Sequence, residues 1–159
     1  MATISTLQIG GVTHPSRNGD VKVPYLVEFE LDFAAALTAK GSALAAADII
    51  KCIVVPPNTV VMGGGTQIKT AANSTTTTVN FGITGGADFT SGLDAKSAAG
   101  TYGTDVGAVW KTTGATAASL DITLATLTGT LSTGKLRVWA MLLDVSDANN
   151  QAGIALVGS

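Results

Sequence analysis

The sequence predicts an all-β protein, folded as a single-domain antiparallel β-sandwich of jelly-roll-like type. Three observations support this fold class. Apolar and polar residues alternate in several short segments, which is the period of a half-buried strand. Turn signals rich in Gly and Pro separate these segments about every 8–12 residues. Finally, 46% of the 159 residues are hydrophobic and 13% are charged, a balance too apolar for a disordered chain.

The clearest strand prediction is Val23–Phe33. Its odd-numbered positions are apolar throughout and are expected to face the core: Val23, Tyr25, Val27, Phe29, Leu31 and Phe33. The acidic residues Glu28, Glu30 and Asp32 fall between them and are expected to face outward. Because like charges in a row repel one another, we expect a basic residue beside them, from a neighbouring strand or a neighbouring chain.

Other segments bring the predicted total to about seven or eight strands, which is the number typical of a sandwich or a small barrel. The main ones are Asp48–Val55, Asn58–Met62, Thr66–Thr70, Thr75–Ile83, Ser119–Leu124 and Lys135–Val145, with weaker signals at Val106–Lys111 and Ile154–Val157. Lys135–Val145 is apolar on both faces, which predicts a central strand with Trp139 in the core. Three consecutive glycines from Gly63 predict a bulge or sharp bend.

Two segments are not predicted as strands. Ala34–Ala47 is rich in alanine but is broken by Gly41 and Ser42, so we expect a loop with at most one or two helical turns. Residues 84–105 are rich in glycine and predict one long loop excursion, of the kind that is functional or packs on a partner. We divide the chain into an N-terminal arm, 1–20, and a sandwich domain, 21–159.

Residues for catalysis or metal binding are scarce. His14 is the single histidine and Cys52 the single cysteine, so neither a disulfide within the chain nor a zinc site of about four ligands can be built. Asp88 and Asp94 lie near glycines without the spacing of a calcium loop. Glu28 and Glu30 could resemble a glycosidase pair but fit the polar face of a strand better. The sequence predicts no catalytic residues, no metal, no cofactor and no enzyme activity.

The charge distribution argues against two classes of partner. The formal net charge is −2, and lysines and arginines are scattered singly, so the basic patch that nucleic acid requires is missing from the sequence. Neither an apolar run of about 18 residues nor a secretion-signal pattern is found. We therefore expect synthesis in the cytoplasm and no binding to membranes.

Three blocks of sequence resemble small virion proteins of tailed bacteriophages, the kind that decorate or cement the head. They are Ala45–Ile50 leading into Val54–Gly63, then Thr78–Ile83 with the acidic, Gly-rich stretch after it, and finally Gly134–Asp144. Together they cover about residues 45–145 and contain strand and turn patterns only. The resemblance implies an all-β protein that binds the outside of an icosahedral capsid in many copies and stabilises it. Its partners would be the major capsid protein and copies of itself, as a trimer.

Candidate contact residues follow from exposure and from the chain ends. The two terminal segments could each add a strand to a neighbour. Trp110 sits in a Gly/Thr-rich setting and is either a core residue or a contact. The full set is Ile4, Leu7, Ile9, Arg17, Glu28, Glu30, Trp110, Ile154 and Leu156. Alternatives are another virion component, such as a head-fibre base, tail or adaptor subunit, and a carbohydrate-binding sandwich module.

Overall fold

The computed structural model describes residues 23–103 and 110–145, together with the backbone of 3–5. The strands are β1 (Thr3–Ser5), β2 (Tyr25–Asp32), β3 (Ile49–Val55), β4 (Thr59–Thr70), β5 (Thr76–Ile83), β6 (Thr90–Asp94), β7 (Lys111–Thr112), β8 (Ala118–Thr128) and β9 (Lys135–Asp144). One helix, α1, spans Phe33–Lys40. The all-β sandwich predicted from alternation is confirmed.

The strands form two sheets. The five-stranded sheet has the order β1-β3-β8-β5-β6, and the four-stranded sheet has the order β2-β9-β4-β7. Neighbouring strands of the described residues pair antiparallel, with one exception. Strand β1 runs parallel to β3, with Ile4 opposite Ile50. Thr3–Ser5 of the predicted N-terminal arm therefore pairs with the chain's own sheet, whereas the sequence suggests that this arm could add a strand to a neighbour.

The core lies between the two sheets and is apolar. Side chains of less than 2% exposure include Phe33, Phe81, Phe89, Leu31, Ile50, Ile68, Leu120, Ile122, Leu124, Leu131, Leu136 and Leu142. The rings of Phe81 and Phe89 pack at 5.9 Å between centroids, tilted by 51°. They can do so because Gly64 of β4 lies opposite: a Cβ there would come within 3.3 Å of Phe81 and 3.4 Å of Phe89.

Helix α1 is short and is capped at both ends. The Asp32 carboxylate accepts a hydrogen bond from Ala34 N at 2.8 Å, and Gly41 ends the helix with a φ of 70° and bonds to Leu37 O and Thr38 O. Its buried residues are Phe33 and Ala36. Two helical turns in the Ala-rich segment agree with the prediction.

Several details differ from the sequence prediction. β4 is one continuous strand, with the predicted irregularity absorbed as a register shift between Val61 and Gly63. The segment 84–105 contains β6, which pairs with β5, so its described part is not a single loop. Val23 lies before the strand and is 54% exposed, not in the core, because β2 begins only at Tyr25, after Pro24.

Candidate interaction surfaces

The outer face of the four-stranded sheet carries a ladder of opposite charges. Arg137 of β9 pairs with Glu28 of β2, and its Nε lies 3.1 Å from Oε2 of that residue. Lys135 Nζ lies 3.2 Å from Glu30 and 3.5 Å from Asp32. The hydrogen bond to Glu30 raises the pKa of Lys135, and the hydrogen bond to Glu28 raises that of Arg137. The basic residues expected beside the acidic strand thus come from the same chain.

This pairing gives two of the predicted contact residues partners within the chain. Glu28 and Glu30 are exposed, but each is already held by a cation in the neighbouring strand. Exposed pairs of this kind contribute little to stability because solvent screens them, so their main effect is to neutralise the face. A basic surface on a neighbouring chain is not needed to offset the acidic row.

Trp139 lies on this outer face, so the prediction that it belongs to the core is wrong. Its partners in register are Glu28 on β2 and Gly65 on β4. A Cβ on Gly65 would lie 2.8 Å from Trp139 Cζ2, which places the indole ring directly over the glycine. Leu136, Val138, Ala140 and Leu142 fill the core face of β9 instead. Gly65 thus makes room for a half-buried aromatic side chain on the surface.

One end of the four-stranded sheet is apolar and exposed. The exposed large hydrophobic residues of the described chain are Val23, Leu26, Val54, Tyr102, Trp110, Met141 and Val145. Five of these lie at one end of the sheet, which we call the apolar end: Val23, Leu26, Trp110, Met141 and Val145. Leu26 and Met141 are partners in register, and Trp110, 59% exposed, directly precedes β7. The sequence left Trp110 open between core and contact; the structure places it outside the core, and its role as a contact stays a prediction.

A buried carboxylate lies on the outer face of the five-stranded sheet. Asp121 of β8 is 1% exposed because the turn Ile83–Gly86 folds over it. That turn has positive φ at Thr84 (50°) and Gly85 (78°), and it closes with a 3.0 Å bond from Gly86 N to Ile83 O. Gly85 O accepts from Thr123 Oγ1 at 2.9 Å, which fixes the turn to the sheet.

The cost of burying the charged Asp121 carboxylate is only partly offset by its neighbours. Burial raises the pKa of its carboxyl, against smaller lowering effects from the Ser119 hydroxyl, from Lys51 and from the Gly85 backbone. Lys51 lies opposite it in register. Among the described atoms, Asp121 Oδ1 is a buried side-chain oxygen without a hydrogen-bond partner. A charged carboxylate here is costly, so the protonated form of Asp121 persists to a higher pH than that of a free aspartate.

We expect Asp121 to give the protein a pH-dependent stability. Because its pKa in the folded state is above the ordinary 3.8, its contribution is fully present below that value. It is lost as the pH rises through the folded-state pKa. In Asp121→Asn this dependence disappears, so the stability of the variant relative to wild type should increase with pH above about 4. Urea unfolding across the pH range measures this difference.

Asp94→Asn is the matched control, since it removes one negative charge from an exposed carboxylate. The stability of Asp94→Asn relative to wild type should not increase with pH in the way expected of Asp121→Asn. If Asp121→Asn and Asp94→Asn gave the same profile, the buried carboxyl would not be the source of the pH dependence.

Of the other predicted contact residues, the structure describes Ile4 alone. Ile4 lies in β1, at the edge of the five-stranded sheet. The positions outside the described residues are Leu7, Ile9, Arg17, Ile154 and Leu156. The Ile154–Val157 strand prediction lies there too, as do most of Val106–Lys111 and His14. The contact roles of these residues stay predictions.

The remaining polar groups have structural roles. Cys52 is the bulged residue of β3. Burial raises the pKa of its thiol, so the thiol stays protonated. Asp88 accepts a hydrogen bond from Ile83 N at 2.9 Å and lies 3.4 Å from Lys111. Asp94 accepts from Lys96 N. Across residues 23–103 and 110–145, the acidic, His and Cys side chains do not gather in threes as a metal site requires.

The one described helix is too short to cross a membrane.

Two solved structures of phage capsids contain chains with a similar fold. One, described as the capsid of Ralstonia phage GP4, matches with a TM-score of 0.66 and 18% sequence identity over 91% of this chain and 99% of that one. Another, the cyanophage Pam1 capsid asymmetric unit, matches with a TM-score of 0.57 and 17% identity over 87% and 94%. Neither a protein-family model nor a curated protein matches the sequence. At this identity the likeness establishes the fold: the chain shares its β-sandwich with chains of two phage capsids.

Proposed function

We propose that the chain is a structural protein of a phage virion, which binds the outer surface of an icosahedral capsid in many copies and stabilises it. The observation that carries the proposal is the match with a chain of the GP4 capsid, which extends over 99% of that chain and 91% of this one. A whole-chain match means that the two chains are of similar size and that the likeness is not confined to a common substructure.

Helix content favours an accessory role over that of the shell-forming subunit. The usual fold of a major capsid protein needs more helix than α1, the one helix of the described residues. A β-sandwich that adds to a preformed shell fits this content. Many identical contacts, each weak, then sum to a large effect on the shell through mass action and multivalency.

The connectivity supports a jelly-roll sandwich. Counted from β2, the eight strands have the order 1-8-3-6 in one sheet and 2-7-4-5 in the other. Each sheet thus alternates strands from the two halves of the chain, which is the arrangement expected of two interleaved Greek keys. Viral capsid domains are among the proteins that use it.

Particles made with and without this chain test the proposal. We expect hundreds of copies per virion by quantitative mass spectrometry against the major capsid protein. We also expect particles lacking the chain to form but to release DNA at a lower temperature, with the loss reversed by adding purified protein. About a dozen copies or fewer would instead indicate a tail, fibre-base or adaptor subunit. Failure of particles to form would indicate the shell subunit itself.

A further inference from the structure

The outer face of the four-stranded sheet brings two aromatic side chains, Tyr102 and Trp139, to either side of Gln67. Tyr102 is the register partner of Gln67 at the edge of β4, and Arg137 of β9 is its partner on the other side. Residues opposite one another in register point to the same face of a sheet. The Trp139 indole lies over Gly65, two residues from Gln67 along β4. We call Tyr102 and Trp139 the aromatic pair.

Backbone hydrogen bonds hold Tyr102 at this edge. Ile68 N donates to Thr101 O at 2.8 Å, and Gly103 N donates to Thr66 O at 2.8 Å. The side chain of Tyr102 nevertheless stays exposed. Its hydroxyl acts electrostatically on Arg137, as a smaller effect beside that of Glu28 in raising the pKa of Arg137. The phenol and the guanidinium therefore lie close together on one rigid surface.

We propose that the aromatic pair binds a neutral oligosaccharide. A pyranose ring has an apolar face of C–H groups, which stacks on an aromatic ring, and a rim of hydroxyls, which needs planar hydrogen-bonding partners. Gln67 supplies an amide donor and acceptor between the two rings. The Arg137 guanidinium has five N–H donors, of which its bonds to Glu28 use Nε and one on Nη2.

The spacing of the aromatic pair suits a short chain of sugars. Trp139 and Tyr102 lie two strands apart and one diagonal step along the sheet, which places their Cα atoms about 12 Å apart. The indole leans toward Tyr102, because it covers Gly65 of the strand between them. A disaccharide or trisaccharide bridges such a gap, with one ring on each aromatic side chain and its hydroxyls over Gln67.

The charges of the face favour a neutral ligand. Arg137 is paired with Glu28, and Lys135 with Glu30, so a strongly anionic or cationic sugar gains little here. The chemistry between the rings also favours a sugar over a protein partner. Protein contacts centre on a continuous apolar core, whereas the amide and the guanidinium here separate one aromatic ring from the other.

Titration of the purified full-length protein with oligosaccharides tests the proposal. The probes are cellohexaose, maltohexaose, mannohexaose and chitohexaose, with oligogalacturonate as the acidic comparison. The chain has two tryptophans, so Trp110→Phe leaves Trp139 as the single fluorescent indole. We expect a saturable change in its emission with at least one neutral sugar. With Trp139→Phe, the remaining Trp110 should show no such change.

The matched variants are Tyr102→Ala and Trp110→Ala, compared with wild type by calorimetry. Both positions are exposed aromatics beside β4, but Trp110 lies at the apolar end, away from Gln67. Tyr102→Ala should weaken sugar binding about tenfold through the lost stacking, and Trp110→Ala should leave it unchanged. Because Tyr102 is exposed, its variant should fold even where a Trp139 variant does not.

Three results would overturn the proposal. One is the absence of binding to all the neutral sugars at millimolar concentration, and another is binding of the acidic sugar alone. The third is an equal response of the Tyr102 and Trp110 variants. Weaker binding of Tyr102→Ala to capsids, without sugar binding by wild type, would overturn it in favour of a protein contact. The titration uses no capsid, so its failure is separate from a failure of the proposed virion role.

Discussion

Replacing Phe81 with Ala should lower the free energy of unfolding by about 3–5 kcal/mol, a large part of the stability of a domain of this size. Phe81 is fully buried on β5 and packs against Phe89, which precedes β6. Its removal leaves a cavity between the two sheets that the rigid strands on either side cannot close. The loss is measured by urea unfolding followed by tryptophan fluorescence.

The control for this substitution is Tyr102→Ala. Tyr102 is also aromatic but is 62% exposed, so its truncation should change stability by about 0.5 kcal/mol or less. Comparable losses at Phe81 and Tyr102 would contradict the placement of the core between the sheets.

Replacing Gly64 with Ala should destabilise the protein by about 1–3 kcal/mol through overpacking. The added Cβ would lie 2.8 Å from the backbone oxygen of Trp139 and 3.3 Å from Phe81. The first contact is with backbone in the adjacent strand β9, so relief requires the strands themselves to move. The change should appear as a lower melting temperature in calorimetry.

The neighbouring Gly63 offers a control one residue away in the same strand. A Cβ on Gly63 meets nothing within 4 Å, so Gly63→Ala should be close to neutral or slightly stabilising. If both variants lost stability equally, the cause would be a general intolerance of β4 to side chains, and the close packing under the aromatic pair would be disproved.

Alternation predicted the strands well wherever the pattern ran for many residues, as in β2, β5 and β9. It also contained the information to place Trp139 on the surface, since Leu136 and Val138 share the opposite parity. The apolar character of both faces of β9 hid that signal. β6 was missed because Thr90 and Leu93 are its only buried residues, too few to show a period.

The candidate surfaces depend on contacts distant in sequence, which the pattern alone could not supply. The pairing of Glu28 with Arg137 requires the register of β2 on β9. The burial of Asp121 requires the turn after Ile83 to fold back onto β8. The alternation of Leu120, Ile122 and Leu124 is enough to place Asp121 on the opposite face, but it does not show that another part of the chain covers that residue.

The charge ladder has a consequence for the speed of association. Glu28, Glu30 and Asp32 are set against Lys135 and Arg137 on the same sheet face, so a partner approaching it meets charges that nearly cancel. Such a face exerts little long-range electrostatic attraction on an incoming molecule, whether that molecule is positively or negatively charged. Encounters through it should proceed at the unassisted rate of shape-limited docking and change little with ionic strength. Selection among partners at this face then rests on fit and on slow dissociation.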